Sequence, residues 1–228
     1  MINELIQDMK KEKNSKKAKL LSGFFKTGKG QYGEGDVFWG LMVPQQRKIA
    51  KKYSNLELKD IQNLLLSDVH EQRLIGLFIM IDQFKKGGRE RIFNLYLKNI
   101  RRVNNWDLVD LSAPNIVGCY LENKDRSLLY KLSRSNNLWE KRISIIATAY
   151  FIRNNDFKDA LKISEILLKD KHDLIHKAVG WMLREVGKKD KKVETRFLDK
   201  YHKVMPRTML RYSIERFDEK ERKHYMSK

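Results

Sequence analysis

One cysteine, Cys119, occurs in 228 residues, which excludes an internal disulfide and any Cys-rich zinc cluster. Proline is nearly as scarce, at three residues, and with 41% hydrophobic residues the chain is not disordered. No apolar run approaches the ~18 residues needed to cross a bilayer. The opening stretch MINELIQDMKKEKNSKKAK has no apolar signal core, so a cytoplasmic protein is expected. No segment alternates convincingly as a strand, and the density of Lys, Leu, Glu and Ile points to helix.

Acidic charge is also in short supply. Against 29 Asp and Glu stand 48 Lys and Arg, a net charge of +19. A field of that sign favours a polyanion: DNA, RNA or an acidic membrane surface. The plain alternative is a soluble basic protein with no such partner.

What the chain does have is an internal repeat. EQRLIGLFIMI, NWDLVDL, EKRISIIATAY, IHKAVGWMLREV and RTMLRYSIERF centre on Arg73, Leu108, Arg142, Lys177 and Arg211, at steps of 35, 34, 35 and 34 residues. Between them, second helices begin at 91, 126, 160 and 196, stepping by 35, 34 and 36. One such hairpin cannot bury its own apolar face, but stacked neighbours share a continuous core. The expected fold is therefore all-α, a right-handed solenoid of helical hairpins with a concave basic surface. A single domain, 1–228, is expected, with about 1–60 as an N-terminal cap and 61–228 as repeats.

Two motifs are set aside. Gly28, Gly30 and Gly33 have G-x-G-x-x-G spacing, but a dinucleotide site needs a strand before it and a helix after it. KAKLLSGFFKT precedes and GEGDVFWG follows, leaving a flexible loop able to approach a phosphate. His172 and His176 share a helical face, but no Glu lies between them as in H-E-x-x-H and no third ligand follows. No metal and no cofactor are expected.

Three helices carry residues that do not read as core. In HDLIHKAVGWMLREVG, Ile175, Val179, Met182, Leu183 and Val186 form an apolar arc. Trp181 falls roughly 140° away, between Lys177 and Arg184. It either touches a ligand or packs on the next repeat. In NNWDLVDLSAP, Trp106 and Asp110 lie one turn apart, opposite Leu108 and Leu111. Pro114 would clash with the Asp110 carbonyl in a straight helix, so either the helix kinks or Ser112 caps a new one. In LWEKRISIIATAYFIR, Arg142 falls inside the arc of Leu138, Ile145, Ile146, Ala149 and Ile152. Its guanidinium needs a carboxylate or phosphate there, and a structural pair with a nearby acid is the plain reading. If adjacent repeats stack in register, Trp106, Asp110, Arg142 and Trp181 line one groove.

Two indoles, an anion and a cation make no nucleophile–base triad. A carboxylate flanked by indoles suits the stabilisation of a developing positive charge. Cleavage of an N-glycosidic bond develops such charge on the sugar. A base made cationic by alkylation leaves readily, and the carboxylate can also orient water.

NNWDLVDLSAP, LWEKRISIIATAYFIR, DLIHKAVGWMLREVGKKD and MPRTMLRYSIERF resemble the bacterial DNA alkylation repair glycosylases of the AlkD-like family. GKGQYGEGDVFWG with VPQQRKIAKKY resembles that family's N-terminal signature, so the likeness spans nearly the whole chain. Minor departures are Trp39, in an otherwise aliphatic region, and Lys141 where a second Arg is common. The resemblance implies a HEAT-like solenoid that excises cationic N3- and N7-alkylated purines from double-stranded DNA. It further implies that the damaged base stays in the duplex. It carries the sugar-contacting roles onto Trp106, Trp181 and Asp110 and an assisting role onto Arg142. Lys177, Arg184, Arg207 and Arg211 are the DNA-binding candidates. A monomer without obligate protein partner or membrane contact is expected. No lysine stands out as a Schiff-base nucleophile, so strand cleavage is not. The competing readings are a non-catalytic HEAT-repeat protein that binds DNA or RNA through charge, and a protein-interaction scaffold.

Overall fold

Helix starts are set locally by short polar side chains. Asn14, Asn137, Asp190 and Asp218 each accept a backbone N–H of the turn that follows. These bonds satisfy donors that have no partner inside a helix. The architecture described here is that of a computed structural model covering residues 1–227. Among the described residues its regular structure is helical, apart from one isolated parallel bridge between Val37 and Val69. None of these helices is long and apolar enough to cross a membrane.

The chain forms two compact units, Met1–Ser112 and a second beginning at Ala113. The first contains α1 (Ile2–Lys11), α2 (Ser15–Phe24), α3 (Val43–Lys52), α4 (Leu58–Leu66), α5 (His70–Lys85), α6 (Arg89–Lys98) and α7 (Trp106–Ser112). Helix α5 is its centre, packed against α3, α4, α6 and α7. It is buried on nearly every side, which explains why its sequence is apolar almost all round. Leu64, Ile75, Met80, Tyr96 and Leu108 form part of this unit's core.

The second unit contains α8 (Ser127–Ser133), α9 (Leu138–Ala147), α10 (Ala149–Arg153), α11 (Lys158–Leu167), α12 (Asp173–Lys189), α13 (Lys191–Tyr201), α14 (Arg207–Ser213) and α15 (Glu219–Met226). Here α12 is central, in contact with α9, α10, α11, α13 and α14. Ile143, Ile163, Ile175, Met182 and Leu198 are fully buried in it. The repeat segments read from the sequence lie mainly on helices, with EKRISIIATAY divided between α9 and α10 at Thr148.

The two discounted motifs have structural roles. The glycine loop joins α2 to α3 with neither strand before it nor helix directly after it. Gly33 is glycine because a Cβ there would overlap the Phe25 carbonyl oxygen. His172 accepts the Leu174 N–H as the N-cap of α12, and His176 donates from Nε2 to the Asp170 carbonyl at 2.6 Å.

At Pro114 the helix does not restart behind a Ser112 cap. The chain runs from α7 directly into a π-helical turn, Ala113–Gly118. Proline has no N–H to return to the carbonyl four residues back, and the wider turn accommodates its ring. Ser112 caps nothing. Its hydroxyl donates back to the Leu108 carbonyl at 2.6 Å and lies 3.0 Å from the Tyr96 hydroxyl.

Candidate active site

Trp106 is the first residue of α7, and the Asn105 side chain accepts its N–H at 2.8 Å. The indole is half-buried and stacks on Phe25, with ring centroids 5.2 Å apart and planes 20° apart. Phe24 meets it edge-on at 5.8 Å. Phe25 stacks in turn on Phe38 at 5.1 Å, and Phe38 on the His70 imidazole at 4.6 Å. Leu108 and Val109 are fully buried, whereas Trp106, Asp110 and Leu111 are half-buried. The two residues of interest therefore lie at the margin of the core, and Leu111 joins them there instead of following Leu108 inward.

Beneath this seat lies a buried charge network. His70 Nδ1 is 3.0 Å from an Asp36 oxygen, and its Nε2 is 2.8 Å from an oxygen of Asp107, the residue after Trp106. Arg73 donates to the other Asp36 oxygen at 2.6 Å and to the Ser67 carbonyl at 2.8 Å. Burial disfavours charge on His70, but Asp107 and Asp36 outweigh it and raise the imidazole to about 9. Burial likewise works against the Asp36 carboxylate, yet His70 and Arg73 hold it below the usual range. Nearby, the fully buried Glu71 accepts backbone N–H groups of Trp39, Gly40 and Leu41 at 3.0, 2.8 and 3.2 Å. The Val37 N–H bonds the Asp68 carbonyl, and the Val37 carbonyl receives the His70 N–H, both at 2.9 Å. These bonds tie the loop carrying Asp36 and Phe38 to the start of α5.

In the second unit, Arg142 is 5% exposed, as its place inside an apolar arc predicts. Its Nη1 donates to the Leu174 carbonyl at 2.5 Å, in the first turn of α12. Trp181 is half-buried, and its indole N–H donates to Glu185 at 3.0 Å, one turn along the same helix. The stripe beside it is less basic than its lysines and arginine suggest. Lys177 pairs with Asp173 at 2.7 Å, Lys188 with Glu185 at 2.7 Å, and Arg184 with Glu215. Arg207 and Arg211 are exposed, and Arg207 donates to the Met226 carbonyl at 2.8 Å.

The sequence reading missed Phe25, Asp36, His70 and Asp107. Asp107 sits in the quoted motif, but nothing local distinguishes its role from that of Asp110. His70 and Arg73, three apart and on one face of α5, are the only local sign of a shared acidic partner. An indole held on one face, with a carboxylate one turn further along the same helix, can meet a cationic or sugar-like group. Among the described residues, no group of three or more His, Cys, Asp or Glu side chains is arranged to hold a metal ion.

The family described as "DNA alkylation repair enzyme" matches residues 5–217. Among solved structures, the chain is similar to a predicted DNA alkylation repair enzyme from Enterococcus faecalis. The likeness covers 91% of this chain and 98% of that one at 14% identity, with a TM-score of 0.72. At that identity it speaks for the fold. No curated protein matches the chain.

Proposed function

Because the chain belongs to the DNA alkylation repair enzyme family, we propose that it is a monofunctional DNA glycosylase acting on cationic N3- and N7-alkylated purines in duplex DNA. The products are the free base, for example 3-methyladenine or 7-methylguanine, and an abasic site. The observation that carries this reading is Trp106 and Asp110 one turn apart on α7, both half-buried, with the indole braced on Phe25.

The chemistry asks little of an acid. An alkylated purine already bears positive charge, so as the glycosidic bond lengthens the base departs neutral and the charge moves to the deoxyribose. A fixed carboxylate stabilises that charge in the transition state more than in the ground state, which is what accelerates a reaction. Asp110 supplies this field and aligns the water that adds to the sugar carbon, taking its proton. Trp106 and Trp181 lie against backbone sugars through their indole faces, which attract cationic character. Arg142 assists, by contacting a backbone phosphate or by ordering Asp110. Hydrolysis by water, with no amine attacking the sugar, leaves the DNA strand intact. The damaged base need not leave the helix, because all of these contacts are to sugar and phosphate.

The deciding experiment is release of 7-methylguanine from methylated duplex DNA by wild type and by Asp110→Asn. Wild-type release with a loss of about 100-fold or more in the variant is expected, as for removal of one preorganised charge. Equal release by both removes Asp110 from its role. Binding of the DNA with no release by wild type favours the non-catalytic reading.

A further inference from the structure

His70 is 1% exposed and cannot touch DNA, yet it holds the helix that carries Trp106 and Asp110. Both of its ring nitrogens face carboxylate oxygens, Nδ1 to Asp36 at 3.0 Å and Nε2 to Asp107 at 2.8 Å. A neutral imidazole has a single N–H, so one carboxylate would then face a lone pair. Only the imidazolium donates to both. Charge balance leads to the same protonation state. Asp36 and Asp107 bring two negative charges into the interior and Arg73 brings one positive, so His70 must carry the second. The remaining charged groups nearby are engaged elsewhere. Glu71, on the same helix, is held by backbone N–H groups, and Arg102 pairs with Asp68.

The imidazolium reaches the first turn of α7 by two routes. One is the ion pair to Asp107, covalently next to Trp106. The other is aromatic: the His70 ring lies 5.0 Å from Phe25, which stacks on the Trp106 indole.

We propose that His70, as a doubly bonded imidazolium between Asp36 and Asp107, is a positioning residue for base excision that fixes the start of α7 and so aims Trp106 and Asp110 at the DNA. This inference rests on the glycosylase reading above. Loss of the proton leaves a buried carboxylate facing a lone pair, and α7 must shift to relieve it. Excision slows while the phosphate contacts, made by other residues, persist.

The test pairs an activity measurement with one that needs no activity. Single-turnover excision and DNA affinity are measured from about pH 6 to 10 for wild type and for His70→Gln, whose amide cannot titrate. The wild-type rate should fall with a midpoint near 9 while affinity stays within about twofold. His70→Gln should lose about tenfold or more in rate per folded molecule and lose the alkaline limb, with affinity unchanged. Adding Asp107→Asn to His70→Gln should recover part of the rate, because the stranded carboxylate is gone. A variant with the wild-type rate and alkaline limb overturns the proposal, as does a deficit explained wholly by the fraction unfolded. Independently, side-chain 15N NMR of wild type at neutral pH should show His70 protonated at both nitrogens. One protonated nitrogen overturns the proposal whether or not the protein excises bases. Wild type that releases no base but shows the doubly protonated ring defeats the glycosylase reading, and with it the positioning role for excision, while leaving the imidazolium itself established.

Discussion

Gly180 of α12 and Met209 of α14 approach so closely that a Cβ on the glycine would overlap the Met209 carbonyl oxygen and lie 2.5 Å from the Tyr212 Cβ. Gly118, in the π-helical turn, makes the same contact with Ala147 and Tyr150. Glycine at these two points lets successive hairpins of the second unit meet backbone to side chain. Gly180→Ala and Gly118→Ala should each destabilise the protein by about 1–3 kcal/mol, the usual penalty for overpacking. Gly23→Ala is the control, since nothing lies within 4 Å of its Cβ position within α2. It should be neutral, or stabilising by up to about 1 kcal/mol. Urea unfolding of the three variants makes the comparison, and equal midpoints would remove the close-approach argument.

Glu194 predicts a stability that declines towards alkaline pH. Its side chain is 2% exposed, lies against Gly187, and has one oxygen without a hydrogen-bond partner. Burial raises its pKa from 4.5 to about 8, against the opposing pull of Lys191 and Arg184. Across that window the folded protein keeps a proton that the unfolded chain has lost, so the contribution of Glu194 to stability is greatest below 4.5 and falls as pH rises to about 8. Glu194→Gln should flatten this slope and be more stable than wild type at pH 8 by on the order of 3 kcal/mol. Parallel slopes for the two proteins would rule out Glu194 as the titrating group.

His70 acts over a higher range. Its folded-state pKa is raised from 6.5 to about 9, so its contribution is fully present below 6.5 and is lost as pH climbs through about 9. The first unit should therefore lose up to about 3 kcal/mol of stability between neutral pH and pH 10. Hydrogen exchange of α5 and α7 amides can follow this without any activity assay. Faster exchange confined to the second unit would count against it.

Salt dependence separates the four basic candidates. Arg207 and Arg211 are exposed, whereas Lys177 and Arg184 are each paired with an acid. A cation that releases a counterion on meeting phosphate contributes ~0.9 to the slope of log affinity against log salt. Arg207→Ala and Arg211→Ala should each lower the slope by about that amount. Lys177→Ala and Arg184→Ala should change it less, because Asp173 and Glu215 already neutralise those charges. The opposite ranking in fluorescence-anisotropy titrations would transfer the phosphate contacts to α12.

The all-helical fold and the hairpin period were legible in the sequence because both arise from neighbours. Apolar residues recurring every three or four positions mark a helix face, and Asn14, Asn137, Asp190 and Asp218 mark helix starts, whatever the rest of the chain does. Burial of Arg142 was legible for the same reason, since Ile145 and Ile146 of the arc lie on its own helix, while Ala149 and Ile152 follow on α10. That Pro114 disturbs the backbone followed from the missing N–H. That the disturbance is a π-helical turn was set by packing, with Ser112 bonded back to Leu108 and against Tyr96.

The sequence by itself determined that this is a basic helical repeat protein with a Trp–Asp pair on one turn. Only the tertiary structure decided what holds that pair. The partners of His70 are 34 and 37 residues away, and no local pattern reports which acids they are. The strength of the network depends on desolvation, which exists only after the chain has closed over it. The same holds for Phe25 beneath Trp106: helix periodicity gives the direction in which a side chain leaves its own helix, and long-range packing settles what it meets.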